Sequence, residues 1–123
     1  MKVLLSIKPE FANKIFSGEK RYEYRKAVFK EPVSTIVVYA SSPVQRIIGE
    51  IEIAEVLQDT PDNIWEKTSK ESGITKAFFL DYFEGKSLAY AIKIAKCNRY
   101  SEAINPYEQF AHFCPPQSFC YLE

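Results

Sequence analysis

A lysine, a glutamate and an arginine stand within six positions, at Lys20, Glu23 and Arg25, directly after the glycine that ends a predicted helix. Side chains alternate along a strand, so Glu23 and Arg25 are expected on one face. There a glutamate can accept a hydrogen bond from the amino group of a base. An arginine can hold that carboxylate or a phosphate, and a lysine can stabilise a phosphate or a developing oxyanion. Spacing alone favours an exposed ladder of ion pairs on an edge strand, and the alternative is a cleft for a nucleotide or nucleic acid.

Three further polar residues stand at the ends of predicted elements. Lys8 begins the first helix, where free backbone N–H groups attract anions, so it can help to hold a phosphate or can lie along the surface. Ser41 and Ser42 follow a strand, where their hydroxyls can donate to a ligand or bond to their own backbone. All three are candidate ligand-binding residues.

The end of the chain and two aromatic residues complete the candidate set. Gln117 and Ser118 are predicted to lie in the last strand, after two prolines, where Gln117 can read a base edge or pair only through its backbone. Tyr39 and Trp65 can stack on a base, which is worth about 1–3 kcal/mol, or can belong to the core. We assign Trp65 to the core and keep Tyr39, Gln117 and Ser118 as candidate ligand-binding residues.

Hydrophobic periodicity predicts the elements that must position these residues. Strands are expected at residues 3–7, 21–26, 35–40, 46–57, 87–96 and 117–122, and helices at 9–17, 60–73, 75–83 and 106–113. Strands and helices do not alternate regularly, which argues against a doubly wound sheet. We predict an α+β fold, a mixed β-barrel or strongly curved sheet of about five strands with peripheral helices, in a single domain over residues 1–123.

Composition and charge limit the class of function. Sixteen basic residues balance sixteen acidic ones, so strong non-specific binding to long duplexes is not expected, although a local basic patch can bind a short strand. The three cysteines have no CxxC spacing, which indicates free thiols in a reducing compartment. No signal peptide and no membrane-spanning run are visible, so we expect a cytoplasmic protein without a membrane partner.

Motifs for metal or cofactor chemistry are missing from the sequence. His112 and Cys114 are the only neighbouring soft ligands, whereas a metal needs three or four. There is no Gly-rich phosphate loop, and the one histidine has no evident nucleophile to serve. We predict no metal and no cofactor.

The motif Gly18-x-Lys20-x-x-Glu23-x-Arg25 resembles the signature of ASCH domains, which belong to the PUA-like β-barrel superfamily. Further segments resemble the same family, namely Ser6-Ile7-Lys8-Pro9, Tyr39-Ala40-Ser41-Ser42-Pro43, Gly49-Glu50, Trp65 and Pro116-Gln117-Ser118-Phe119. The resemblance covers nearly the whole chain. It implies a PUA-like barrel that binds RNA or nucleotides in the cleft beside the motif.

One branch of the family removes the acetyl group from N4-acetylcytidine, and the resemblance implies possible catalytic residues here. The catalytic lysine of that branch matches Lys20. The threonine that acts three residues later is replaced by Glu23, and the glutamate from the helical insertion has its nearest match in Glu71. Lys20, Glu23 and Glu71 are therefore the candidate catalytic residues if the protein is an enzyme.

Two classes of function stay open at this point. The first is a binding module that recognises RNA or a modified base in the cleft. The second is an enzyme acting on a nucleoside or on RNA, either an amidohydrolase of N4-acetylcytidine or a nuclease. In an enzyme, a buried Lys20 would activate water or the substrate, and Glu23 or Glu71 would move a proton.

Overall fold

The computed structural model describes residues 1–110, 112–117 and 119–122. Within them the strands are β1 Lys2–Ile7, β2 Tyr22–Arg25, β3 Thr35–Ala40, β4 Arg46–Asp59, β5 Ala89–Ile104 and β6 Phe119–Leu122. The helices are α1 Pro9–Ser17, α2 Pro61–Thr68, α3 Lys76–Tyr82 and α4 Pro106–Gln109, and a 3₁₀ turn at Ser69–Glu71 follows α2. None of the helices in these ranges combines the length and the apolar character that crossing a membrane requires.

All six strands form one mixed sheet in the order β2-β5-β4-β3-β1-β6. Strand β1 runs parallel to β3, with Ser6 opposite Tyr39, and the other neighbouring pairs are antiparallel. The sheet does not close between its outer strands, β2 and β6, in the described part of the chain. The α+β class is confirmed. All six predicted strand segments are present, one more than a barrel of about five strands requires, and the short β6 pairs with the free edge of β1.

Predicted boundaries were wrong in the second half of the chain. Strand β5 continues to Ile104 instead of residue 96, because its backbone keeps pairing with β4 until Ile104 lies opposite Ile47. Most side chains of this extension are exposed, so no hydrophobic alternation marks it. Helix α4 ends at Gln109 instead of residue 113, since Phe110 takes extended backbone angles (φ −119°, ψ 126°).

Helix α1 fixes the path of the chain into the motif. Pro9 stands in its first turn, where a missing N–H costs nothing, and Gly18 ends it in the left-handed conformation (φ 89°), as predicted. Ala12 and Ile15 are buried against the sheet in a core cluster that includes residues of β1, β3, β4 and β5. Because both ends of α1 are defined, the residues after Gly18 leave in a fixed direction.

A second core cluster lies where α2 and α3 pack against β2 and β5. It joins both tyrosines of β2 to Ile64 of α2 and Phe79 of α3. Thr60 and Thr75 begin these helices, and each side-chain oxygen accepts a backbone hydrogen bond, at 3.3 and 3.1 Å. Through this cluster the two helices pack against β2, which pairs with β5 along one edge.

Candidate functional site

A cavity of about 180 Å³ opens beside the motif, between the start of α1, strand β2 and the start of α3. Sites for drug-sized ligands measure about 300–1,000 Å³, so this cavity suits one ring-sized group. It brings together Lys8, Lys20, Glu23 and Arg25, four of the residues selected from the sequence. The complete lining is Ser6, Ile7, Lys8, Phe11, Lys20, Glu23, Tyr24, Arg25, Ile74, Phe78 and Tyr82.

Lys20 is buried in the cavity wall, with only 2% of its surface exposed. Its Nζ donates a hydrogen bond to the backbone oxygen of Ser72 at 2.9 Å. The same atom lies 4.6 Å from the ring centre of Tyr24 and 5.6 Å from that of Phe11. A cation is attracted to the negative face of an aromatic ring. One carbonyl and two rings therefore replace part of the water that an ammonium group loses on burial.

The turn at residues 72–74 closes over Lys20 from a point 52 positions later in the chain. Gly73 has a φ of +69°, and a Cβ there would lie 2.6 Å from the Cβ of Lys20. Only glycine permits this conformation and this approach without displacement. Lys14 donates from Nζ to the backbone oxygen of Gly73 at 3.0 Å. Lys14 and Lys20 thus both donate hydrogen bonds to the backbone of this turn.

Burial lowers the pKa of Lys20 from its ordinary value of 10.5 to about 8. Loss of hydration is the main cause, because it penalises the charged form. The nearby charge of Glu23 raises this pKa, whereas the positive charges of Lys14 and Arg25 lower it. Near pH 8 both protonation states are populated, so Lys20 can present an ammonium group to an anion or accept a proton as a neutral amine.

Glu23 and Arg25 form a largely buried ion pair beside Lys20, with side chains 8% and 15% exposed. Arg25 donates from Nε to Oε2 of Glu23 at 3.0 Å, and its Nη2 lies 2.9 Å from the same oxygen. Nη2 also donates to the backbone oxygen of Ser6 at 2.7 Å. The pair ties β2 to the end of β1 and fixes the orientation of the carboxylate in the wall.

Aromatic side chains form much of the remaining wall, and the sequence analysis missed them as site residues: Phe11, Tyr24, Phe78 and Tyr82. The rings of Phe11 and Phe78 meet edge to face at 5.3 Å, and Nζ of Lys8 lies 5.9 Å from the Phe78 ring. Phe78 is 39% exposed although it neighbours Phe79, which is fully buried. Successive helix residues point in different directions, so two adjacent phenylalanines cannot both face the core. This pair was the signal in the sequence that one of them lines a surface cavity.

Of the other candidates near the motif, Lys8 reaches the cavity and Glu71 does not. Lys8 is exposed at the start of α1, and its backbone oxygen accepts the first hydrogen bonds of that helix. Glu71 ends the 3₁₀ turn with an exposed side chain outside the cavity lining. Its backbone oxygen accepts a hydrogen bond from the N–H of Arg21 at 2.9 Å. Glu71 therefore anchors the motif through its backbone.

Tyr39 lies on β3, outside the cavity lining, and is 1% exposed. Its hydroxyl shares a hydrogen bond of 2.8 Å with the hydroxyl of Tyr107 at the start of α4. Burial raises the pKa of Tyr39 to about 12, so the hydroxyl stays neutral at physiological pH. The neighbouring strand carries Ser6, whose hydroxyl donates to the backbone oxygen of Pro116 at 2.9 Å. A role of Tyr39 in ligand binding stays a prediction.

The remaining polar candidates belong to turns. Ser41 begins a turn in which its backbone oxygen accepts from the N–H of Val44 at 3.1 Å. Ser42 and Gln117 are exposed and do not line the cavity. Ser118 lies outside the described residues. The structure therefore groups the candidates of the motif and of the start of α1, and it leaves those of the later turns apart from them.

Side chains suited to metal binding are dispersed. Among residues 1–110, 112–117 and 119–122, no three His, Cys, Asp or Glu side chains lie close enough together to hold a metal ion. Cys97, Cys114 and Cys120 are free thiols on the surface. Lys8, Lys20, Glu23 and Arg25 converge at the cavity.

Comparison with known proteins adds a family to this geometry. The model of the ASCH domain matches residues 5–119. A relative from Zymomonas mobilis, named ASCH domain-containing ribonuclease, is 32% identical over 126 residues, which cover 97% of this chain and 82% of the relative. The crystal structure of ASCH from Zymomonas mobilis is similar with a TM-score of 0.92 and 30% identity, over 99% of this chain and 87% of that one. Large ribosomal subunit protein uL22 of Ureaplasma parvum is 31% identical over 99 residues, 80% of this chain but 32% of that protein.

The matched residues run from β1 to the first residue of β6, and they include every side chain that lines the cavity. The resemblance inferred from the motif at Gly18 to Arg25 is confirmed over residues 5–119. The chain belongs to the ASCH domain family.

Proposed function

We propose that this chain binds single-stranded RNA and that one unpaired nucleotide enters the cavity beside Lys20. The observation that carries the proposal is the meeting of cationic and aromatic side chains in one ring-sized cavity. Proteins that bind single strands combine positive charge for the backbone with aromatic rings on which bases stack. The Zymomonas mobilis relative is named a ribonuclease, which supports RNA as the class of ligand.

The distribution of charge supports a short contact instead of a long groove. The chain carries 16 basic and 16 acidic residues, so its overall field does not attract polyanions strongly. Lys8 is exposed at the cavity and Arg25 is partly exposed there, where each can meet a phosphate that flanks the bound nucleotide. Few phosphate contacts mean a shallow dependence of affinity on salt.

The test is an equilibrium titration of labelled single-stranded RNA with the wild-type protein and with Lys20→Met. Methionine keeps the length and the burial of the side chain but removes its charge. We expect the variant to bind at least about tenfold more weakly, because a hydrogen-bonded charge at such a site is worth about 1.5–3 kcal/mol. Lys96→Met is the matched control, since Lys96 is exposed on β5 outside the cavity. If wild type and Lys20→Met bind RNA with equal affinity, the proposal that RNA binds in the cavity beside Lys20 is contradicted.

Ribonuclease activity is a second candidate, and the name of the Zymomonas mobilis relative favours it. Lys20, with a pKa of about 8, can take a proton from a ribose 2′-hydroxyl as that oxygen attacks the adjacent phosphorus. The new bond joins the 2′ oxygen to phosphorus, and the bond from phosphorus to the 5′ oxygen of the next nucleotide breaks. The departing 5′ oxygen takes a proton from water, and Lys20 returns its own proton to solvent, so the products are a 2′,3′-cyclic phosphate and a 5′-hydroxyl end.

Cleavage is tested with end-labelled RNA and with DNA of the same sequence. We expect the wild type to cut the RNA only, with a rate that rises through about pH 8, and Lys20→Met to cut neither. Cutting of RNA by Lys20→Met at the wild-type rate would exclude Lys20 as the base. Binding without any cutting would leave the protein a binding module.

An amidohydrolase acting on N4-acetylcytidine is the other enzymatic proposal. In that reaction Lys20 and Glu23 would have to act together, because Glu71 lies outside the cavity lining. Release of acetate from N4-acetylcytidine, followed over time with wild type and Lys20→Met, tests it. Equal release by both proteins would reject this activity.

A further inference from the structure

One oxygen of the Glu23 carboxylate is held and the other is free. Oε2 receives the Nε hydrogen bond of Arg25 and lies 2.9 Å from its Nη2. Within the described part of the chain, Oε1 accepts no hydrogen bond from protein groups, although the side chain is largely buried and lines the cavity. Arg25 is itself fixed to the backbone oxygen of Ser6 at 2.7 Å. The free oxygen is therefore a fixed acceptor in a cavity that holds one ring.

We propose that Oε1 of Glu23 accepts the exocyclic amino group of an unpaired cytosine, so that the cavity selects this base over uracil. This inference rests on the proposed binding of RNA and specifies which base enters. Glutamate accepts hydrogen bonds from the amino group at N4 of cytosine. A purine needs more room than a pyrimidine in a cavity of about 180 Å³.

Lys20 complements this assignment as a donor. Its Nζ carries up to three N–H groups, and the backbone oxygen of Ser72 accepts one of them. Cytosine presents acceptors, its N3 and O2, beside the amino group. An acceptor from Glu23 and a donor from Lys20 in one wall thus match the donor and acceptors on the edge of one base.

Uracil fails this match at one position. It carries a carbonyl oxygen where cytosine carries the amino group, and two acceptors that face each other repel. Oε1 of the largely buried carboxylate would then lack a donor, while Oε2 keeps its bond from Arg25. A well-made contact to a base edge discriminates by about 5- to 150-fold, so we expect at least about a tenfold preference for cytosine.

The experiment compares the affinities of oligocytidylate and oligouridylate of equal length, and of oligomers in which 2-pyrimidinone replaces cytosine. The 2-pyrimidinone ring lacks the amino group and adds no bulk, so it tests the contact without changing the protein. We expect tight binding of the cytosine oligomer only. Glu23→Gln should lose the preference, because an amide can turn its NH₂ toward the carbonyl of uracil. Glu55→Gln is the matched control, since Glu55 is exposed on β4 outside this cavity.

The outcomes separate the inference from the function on which it rests. If the wild type binds all three oligomers equally and Lys20→Met weakens all of them, the choice of cytosine is overturned and RNA binding in the cavity stands. A preference for oligoadenylate over oligocytidylate also overturns the assignment. If the wild type binds none of the oligomers, both proposals are overturned. The 2-pyrimidinone oligomer decides the question even if Glu23→Gln does not fold.

Discussion

At the scale of single residues, Lys20 is a cavity side chain that is buried and yet able to carry a positive charge. Its ammonium group has exchanged water for the carbonyl of Ser72 and the rings of Tyr24 and Phe11. Burying a charge costs free energy that its new partners repay only in part, and apolar replacements of buried charged groups are often neutral or stabilising. A methionine would therefore serve the fold at least as well. We therefore propose that Lys20 serves the binding of a ligand and not the stability of the fold.

The lowered pKa of Lys20 makes a prediction about stability and pH. Its pKa is about 8 in the folded chain and 10.5 when unfolded, so between these values the unfolded chain binds more protons and the free energy of unfolding rises with pH. The full shift corresponds to at most about 3 kcal/mol. Ionisation of Tyr24, whose pKa burial raises to about 12, opposes this above about pH 10. The effect of Lys20 on the free energy of unfolding is therefore best measured between pH 8 and pH 10.

Urea denaturation at several pH values in that window measures the effect. We expect Lys20→Met to be at least as stable as wild type at pH 7, and the difference between the two proteins to shrink toward pH 10. Lys96→Met, in which an exposed lysine is replaced, should run parallel to wild type. A constant difference between Lys20→Met and wild type from pH 7 to pH 10 would contradict a lowered pKa.

Which residues meet in the cavity could be predicted only where they are close in sequence. Lys20, Glu23 and Arg25 follow a helix end whose glycine is recognisable, so their proximity was accessible. The hydroxyl of Tyr39 bonds to Tyr107, 68 positions later, and no local pattern encodes that pairing. Long-range packing decides such contacts, and the sequence of one segment does not report it.

At the scale of elements, the turn at residues 72–74 is the part of the cavity most sensitive to a single methyl group. Gly73 combines a left-handed φ with close contact to Lys20, whereas Gly85 has a similar φ of +77° and open space around it. The two glycines therefore differ in packing and not in backbone conformation. They form a matched pair for substitution.

We predict that Gly73→Ala destabilises the protein more than Gly85→Ala does. Left-handed backbone costs alanine about 1–2 kcal/mol at either position. At Gly73 the added Cβ must also displace Lys20, and forcing atoms into a packed site costs about 1–3 kcal/mol more. Thermal or urea unfolding measures both variants, and RNA titration should show a loss of affinity for Gly73→Ala alone. Equal destabilisation by the two substitutions would mean that the turn adjusts without moving Lys20.

Element boundaries were predictable where side chains carry the signal. Helix α1 has Pro9 at its start, Gly18 at its end and buried Ala12 and Ile15 between them, and it was predicted correctly. The far half of β5 is held by backbone pairing with β4 while its side chains face water. Backbone hydrogen bonds leave no trace in residue type, so that extension was invisible in the sequence.

At the scale of the whole molecule, β5 connects the two core clusters. Ile92 and Ile94 belong to the cluster under α1, and Ala89 and Ala91 belong to the cluster under α2 and α3. Because one strand contributes to both, loss of either cluster removes packing from the other. We therefore propose that residues 1–123 form a single folding unit.

Two probes test this unity. Trp65 packs against Phe79 at 4.9 Å, so its fluorescence reports the second cluster, and far-ultraviolet circular dichroism reports the helices and the sheet as a whole. We expect coincident urea transitions from the two probes, as for a two-state domain. Separate midpoints would show that the helical cluster unfolds independently.

Strand β2, which carries the motif, stands at the edge of the sheet, and its strand partner is β5. Tyr22 to Arg25 meet Tyr90 to Lys93, some seventy positions downstream. During synthesis on the ribosome, β2 is made early, but it can pair with β5 only after residues 90–93 have been translated. A nascent or prematurely terminated chain would carry the motif in its sequence but lack this neighbour, and we expect it not to bind RNA until β5 has been translated.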